Sequence, residues 1–233
     1  HIGDRRQRQM CIRDSPRAVP GGKGLVFRST RGKMEYLDFE SMETRVLFDH
    51  WDGWIDFDLS PDGEWMAYAQ HDLDFNSDIF LMRLDGSQDP INLTRHPDND
   101  EHPRFSADGR LLVFTSERKA EAYDIMVVAL DAEYDRLLEA DQKAYHDKAK
   151  KAAADHDHKK ANPNVWSWSL DDAWLRLRRL TTLDGDETSP WITPGGETIV
   201  FRGSGSHSGL HRIDWKGENR TKICLLYTSD AAD

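Results

Sequence analysis

The apolar residues of this chain fall in short runs, and four of those runs are copies of one another. GLVFRS from Gly24, EWMAYA from Glu64, RLLVFTS from Arg110 and TIVFRG from Thr198 each follow a glycine-bearing turn. Each also carries an aromatic residue at the same place, Phe27, Tyr68, Phe114 and Phe201. Two of the turns are Ser60-Pro61-Asp62-Gly63 and Ser106-Ala107-Asp108-Gly109; Pro20-Gly21-Gly22 and Pro194-Gly195-Gly196 are looser versions. Proline presets the backbone angle, aspartate hydrogen-bonds locally and glycine accepts the left-handed conformation, so each turn predicts a tight link between antiparallel strands. Leu47, Leu93 and Leu180 each stand sixteen positions before a turn glycine, and the last two are followed by Thr94 and Thr181. Gly63 and Gly109 are 46 positions apart, Gly109 and Gly196 87 apart. The residues carrying the repeat are therefore Pro20, Gly22, Pro61, Asp62 and Gly63 in the first half, and Asp108, Gly109, Pro194 and Gly196 in the second.

A further strand follows each run, as at Asp78 to Met82 and Asp124 to Val128, and after Asp85-Gly86 another closes the unit at Ile91 to Thr94. Four short antiparallel strands repeated at roughly 40 to 50 residues predict the blade of a β-propeller; a sandwich does not repeat its turns in register. The expected fold is all-β, a partial β-propeller of about four blades of four antiparallel strands with one helical insertion. The first unit is expected to lack its beginning. Propellers close with roughly four to eight blades, so the expectation is an open arc that exposes blade faces and strand edges.

The insertion, about residues 131–165, lengthens the second interval. Its first part, DAEYDRLLEADQKAYHDKAKKAAADHDHKK, is rich in good helix formers, with Glu139 to Lys143 and Asp147 to Lys151 as acid-before-base pairs at helical spacing. This predicts a solvated helix, stopped by Asn162-Pro163-Asn164, after which Trp166, Trp168 and Trp174 return the chain to the sheet.

Composition narrows the partners. The 233 residues are 38% hydrophobic with a formal charge of -11, acidic residues outnumbering basic ones 42 to 31, which argues against nucleic acid or an anionic membrane as partner. The longest apolar run, Ile125 to Leu130, is far shorter than a membrane span of roughly 20 residues. The two ends read differently from the rest. Arg5 to Ser15 and Cys224 to Asp233 can be encoded by complementary DNA strands, and that shared element resembles a transposase-type sequencing adapter. Residues 1–15 and 224–233 are thus expected to be non-native, leaving 16–223 as the propeller fragment, still at -11 because the ends cancel. Both cysteines, Cys11 and Cys224, lie in those ends. The segment between them has neither a disulfide framework nor thiolate ligands, which suits cytoplasm and periplasm equally.

Chemistry-bearing patterns are sparse. Asp72, Asp74, Asn76 and Asp78 alternate as in the opening of a calcium loop, but Ser77 stands where an EF-hand needs glycine and Arg83 where it needs a bidentate glutamate, so a solvated hairpin loop is expected. His146, His156 and His158, with Asp155 and Asp157, lack the rigid frame a zinc site needs. His96 and His102 flank an interblade loop. Ser204, His207 and Ser208 are neighbours in a glycine-rich hairpin rather than a triad assembled from separate elements. No phosphate loop or dinucleotide fingerprint is present. The expectation is no catalytic residue, no metal and no cofactor in this segment. Trp51, Trp54, Trp65, Trp191 and Trp215 are expected to fill interblade cores.

The unit from Pro103 to Ser116, followed by Tyr123-Asp124-Ile125 and Leu180-Thr181, resembles the blade repeat shared by TolB and the tricorn-type peptidases, over essentially all of 16–223. The charged helical insertion, the re-entry through Leu170 to Trp174 and Arg178 to Leu183, and the ending Gly209 to Gly217 are similar to bacterial tricorn-like members of the C-terminal-processing serine peptidases. That resemblance implies a propeller that admits, filters or docks peptide or protein substrates. It further implies additional blades, a PDZ-like module and a separate catalytic domain in a periplasmic or cytoplasmic bacterial parent. A TolB-like protein-binding propeller of the cell envelope and the propeller cap of a prolyl-oligopeptidase-like enzyme are the alternatives.

Overall fold

A computed structural model describes residues 14–51, 53, 55–119, 122–154 and 168–225. The chain divides into two compact units, His1–Trp54 and Ile55–Asp233. Among the described residues the architecture is four sheets, each of four antiparallel strands in sequence order.

The first unit holds blade 1: β1 (Asp14–Ala18), β2 (Gly24–Thr30), β3 (Lys33–Asp38) and β4 (Thr44–Asp49). Val26, Phe27 and Met34 are its buried centre. Blade 1 was expected to be short of its first strand, and instead it has all four. Arg17 and Ala18 pair with Val26 and Leu25, and the pairing continues through an irregularity to Asp14, inside the stretch read as non-native.

The second unit holds three blades. Blade 2 is β5 (Phe57–Leu59), β6 (Trp65–His71), β7 (Ser77–Arg83) and β8 (Ile91–Asn92). Blade 3 is β9 (Asp100–Phe105), β10 (Leu111–Lys119), β11 (Ala122–Ala129) and β12 (Leu177–Arg179). Blade 4 is β13 (Glu187–Ile192), β14 (Thr198–Gly203), β15 (Gly209–Asp214) and β16 (Thr221–Cys224). The alternation of side chains along a strand explains why Leu111 to Phe114 is apolar throughout. Leu112 and Phe114 join Met126 and Val128 against Ile79, Leu81 and Leu93 of blade 2. Leu111 and Val113 join Ile125 and Val127 against Ile199, Phe201 and Ile213 of blade 4. A strand covered on both faces needs no polar face, and burying a side chain such as Phe114 is worth about 2 to 3 kcal/mol.

The repeated turns have one mechanism. In blade 3, Ser106 Oγ donates to Asp108 Oδ1 (2.6 Å) and accepts from Leu111 N (3.0 Å), while Gly109 N donates to Ser106 O (2.9 Å). Ser60, Asp62 and Trp65 N repeat the arrangement in blade 2. In blade 4, Thr193 replaces the serine, its Oγ1 accepting from Thr198 N, and Glu197 supplies the carboxylate that Gly195 cannot. Gly22, Gly63, Gly109 and Gly196 all have φ between 70 and 73°. At Gly196 a side chain is excluded twice, by that angle and because a Cβ would meet His146 Nδ1 at 3.0 Å.

The insertion departs from the solvated helix expected of it. Asp131 caps a short helix, α1 (Ala132–Asp135), by accepting from Glu133 N and Tyr134 N, and α2 (Glu139–Ala154) follows. Although α2 is polar, it is laid against blade 4 and buries Gln142 and His146. Glu139, expected to pair along its own helix, reaches Lys216 Nζ at 2.7 Å instead. Asn162 to Asn164 and Trp166 lie outside the described residues.

Candidate functional site at the blade junctions

Blades 2 and 3 meet through a polar junction beyond their apolar core. Asp78 begins the inward run of β7 and holds the residues just after β8. Its Oδ1 accepts from Thr94 Oγ1 (2.9 Å) and His96 N (3.0 Å), and its Oδ2 accepts from Asn92 Nδ2 (2.7 Å). Thr94 Oγ1 in turn accepts from Ile79 N (3.0 Å). Across the junction Asp100, wholly buried at the start of β9, is neutralised by Arg118, whose Nη2 lies 2.7 Å from Oδ2 and also donates to Thr94 O. Nearer the first strands, Arg104 pairs with Asp56 at 3.4 Å and Asp58 accepts from Phe105 N.

The junction between blades 3 and 4 uses the same positions with different residues. Asp124 replaces Asp78, Thr181 replaces Thr94, and Thr181 Oγ1 accepts from Ile125 N (2.8 Å). Arg179 stands where blade 2 has Asn92 and pairs with Asp124 at 2.7 Å. Glu187 stands where blade 3 has Asp100, and Gly205 stands where Arg118 would be. The buried Glu187 carboxyl consequently has no arginine of its own. It receives Thr181 and faces Asp124, while its Oε2 has no partner. Burial first, and then the Asp124 charge, push it up to about 7.

Carboxylates also gather on the rim around Tyr123. Tyr123 N donates to Asp186 Oδ1 (3.2 Å), and burial together with Glu101, Glu117 and Asp186 raises its phenol to about 12. His71 and His102 each approach Glu101 at 3.9 Å. Thr115 Oγ1 donates to Glu101 O, so its oxygen is left to accept from His102 Nδ1 at 3.0 Å.

On the insertion side, His146 Nδ1 donates to Gly195 O and Nε2 shares a hydrogen bond with Tyr134 Oη, both at 2.8 Å. Burial holds its pKa below the ordinary histidine value. The ring lies 4.5 Å from that of Trp215, whose Nε1 points at Gln142 Oε1. Lys150 pairs with Glu197 at 3.1 Å. The helix therefore ties itself to two of the three hairpin turns of blade 4, those joining β13 to β14 and β15 to β16.

No family model matches the chain. Over 110 residues it is 26% identical to the tricorn protease homolog of Saccharolobus solfataricus, a match covering 47% of this chain and 10% of that protein. Among solved structures, TolB from Acinetobacter baumannii superposes with a TM-score of 0.59 at 14% identity, over 88% of this chain and 41% of TolB. The chain is built of TolB-like, tricorn-type propeller repeats. Hydrazine synthase from Kuenenia stuttgartiensis superposes with a TM-score of 0.53 at 16% identity, over 85% of this chain and 29% of that one. The chain thus spans well under half the length of each of these proteins.

The TolB-like repeats place the other sequence candidates as follows. Asp72 Oδ1 accepts from Asp74 N and Asn76 N, closing a hairpin loop, whereas Asp78 is engaged with Thr94, so the alternating oxygens do not converge. His96 Nδ1 accepts from Asp98 N. His156, His158, Asp155 and Asp157 lie outside the described residues. Ser204 Oγ accepts from Asp186 N at 2.7 Å and His207 sits in the same short 3-10 turn, so the serine anchors a loop. Trp65 and Trp215 pack in interblade cores as expected, and Trp168 joins them, stacking on Phe105 and donating to Gly109 O. Trp51 and Trp191 do not: they are 43% and 68% exposed, Trp191 because Ile192 takes the side of β13 that faces blade 3. Trp54 lies outside the described residues. The docking of α2 and the Glu187 junction were missed in the sequence; the 87-residue offset that pairs Asp100 with Glu187 and Arg118 with Gly205 was the available signal.

Proposed function

We propose that the chain is the non-catalytic propeller segment of a tricorn-like serine peptidase and serves the access or docking of peptide and protein substrates. The observation that carries this reading is the likeness to the tricorn protease homolog, which extends over nearly half of the chain. The charged helical insertion supports it. Glu101, Glu117 and Asp186 around Tyr123 make one rim acidic, and in a chain of -11 that rim favours extended peptides with basic residues. The parent's serine peptidase belongs to a domain outside this chain, and Ser204 and His207 contribute nothing to it.

Two measurements test the reading. A fluorescent lysine-rich peptide should bind with salt-sensitive affinity and a glutamate-rich one should not; equal binding of both, or of neither, overturns the docking role. Casein should survive incubation with the protein, and turnover lost on Ser204→Ala would overturn the non-catalytic assignment. The superposition on TolB favours a second reading, a protein-binding propeller of the cell envelope. Reading the source gene past Ile223 separates the two: a PDZ-like module and serine peptidase domain support the first, a stop codon soon after the last blade supports the second.

A further inference from the structure

The hairpin between β6 and β7 presents two large apolar side chains to solvent at the rim of blade 2. Leu73 is 84% exposed and Phe75 70% exposed. The repeat does not ask for them there: the corresponding loops of blades 3 and 4, Lys119 to Ala122 and Ser204 to Ser208, contain no large apolar residue. The loop is nevertheless tightly set. Asp72 Oδ1 accepts from Asp74 N (2.8 Å) and Asn76 N (3.0 Å), and Asp72 N donates to Asn76 O (2.8 Å), so Asp72 closes the turn. Phe75 is held at φ 66°, a left-handed angle that costs backbone energy for a bulky residue and that asparagine or glycine adopts more readily. A loop that needed only to turn would have no use for phenylalanine at that position.

The same hairpin is stitched to the acidic rim of the neighbouring blade. Ser77, which pairs with His71 at the base of the loop, donates from Oγ to Asp100 O (3.1 Å) and from N to Asn99 Oδ1 (3.1 Å). Asn99 Nδ2 donates onward to Glu117 Oε2 (2.8 Å), and His71 Nε2 lies 3.9 Å from Glu101 Oε1. Asp186, exposed and accepting from Tyr123 N (3.2 Å), continues the carboxylates toward blade 4. An apolar tip thus stands beside a row of acids, on elements fixed to one another by hydrogen bonds. We propose that Leu73 and Phe75 are the apolar anchor of a docking surface for an extended peptide, which sets a bulky apolar side chain against this loop and lysine or arginine residues along Glu101, Glu117 and Asp186. Charge selects that occupant. The acids repel an acidic segment and disfavour a second copy of this chain, which carries -11, while two exposed apolar residues alone are too small a patch to hold an uncharged partner. The inference rests on the docking role proposed above, and adds where on the rim the peptide sits and which side chains it must carry.

The test is fluorescence anisotropy of the whole chain with three synthetic peptides: a lysine-rich one with a central phenylalanine-leucine pair, the same peptide with serines in place of the pair, and a glutamate-rich one with the pair. The first should bind about tenfold more tightly than the second, and the third should not bind. Combining Leu73→Ser with Phe75→Asn should bring the first peptide down to the level of the second and leave the second unchanged. The urea midpoint should stay level or rise, because asparagine accepts the left-handed angle. Should the double variant fail to fold, Leu73→Ser alone, at a position 84% exposed, decides. Equal binding of the two lysine-rich peptides to the wild type overturns the anchor and leaves the docking role standing; binding of neither overturns both. Tight binding of the glutamate-rich peptide, or an equal loss of both lysine-rich peptides in the variant, also overturns the proposal, the latter by making the loop a brace for the rim.

Discussion

Replacing His146 with alanine tests whether the insertion is a structural tie or a decoration. The imidazole is 2% exposed and bridges Tyr134 Oη and Gly195 O, so its removal deletes two hydrogen bonds of about 1 kcal/mol each and leaves both partners buried. It also opens a gap beside Trp215, whose ring lies 4.5 Å away. Truncations of buried side chains cost about 2 to 5 kcal/mol, and a polar group at the edge of a core belongs in the lower half, so about 3 kcal/mol is expected. Lys150→Ala is the control on the same helix: Lys150 is 67% exposed, and its pair with Glu197 should be worth about 0 to 1 kcal/mol. Urea unfolding followed by tryptophan fluorescence gives both numbers. Because burial holds the histidine below its ordinary value, its contribution is complete above about pH 6.5 and is lost as pH falls through the folded value. The wild type should weaken on acidification in that window and His146→Ala should weaken less. A cost below about 1 kcal/mol, or one equal to that of Lys150→Ala, would refute the idea that the helix is tied through this residue.

Two other perturbations reach the repeat itself. Ser106→Ala removes an oxygen that donates to Asp108 and accepts from Leu111 N, and should cost about 1 to 2 kcal/mol in the same urea assay; Gly109→Ala, at φ 70°, should cost about 1 kcal/mol or more. Arg118→Met leaves Asp100 charged and wholly buried, and the loss should be about 3 to 5 kcal/mol, with most of it recovered when Asp100→Asn is added.

Much of the fold was legible because it repeats. The turn glycines, the aromatic five residues after each and the Leu-Thr pairs are local signals, and each has a local cause: a left-handed angle, a buried side chain, a hydroxyl that accepts a strand amide. The first strand of blade 1 was not legible, since Asp14 to Ala18 carries no alternation and pairs through an irregularity. Nor was the docking of α2. Its surface is polar, and what buries His146 is a carbonyl at Gly195 and a ring at Trp215, 49 and 69 positions away in the sequence. Trp191 misled for the converse reason, because an aromatic in a strand says nothing about which of two faces has a neighbour.

The two junctions of the second unit show where a repeat is free to vary. The shape-bearing positions are kept: Asp78 and Asp124 open the third strands, Thr94 and Thr181 accept from the amides of Ile79 and Ile125, and an acid begins each following blade. Charge is handled differently. At each junction an arginine pairs with a buried acid, but it comes from β10 in one case, Arg118 with Asp100, and from β12 in the other, Arg179 with Asp124. The arginine thus serves the acid that begins β9 in one junction and the acid of β11 in the other, so Glu187, at the start of β13, stands without the partner that Asp100 has. The insertion between β11 and β12 lies at this same junction, and its length costs little, because loop-closure entropy grows only with the logarithm of length. Its return contacts at Gly195, Trp215 and Lys216 hold the insertion on blade 4, and the tie through His146 weakens as pH falls through a value that burial keeps below the ordinary histidine range.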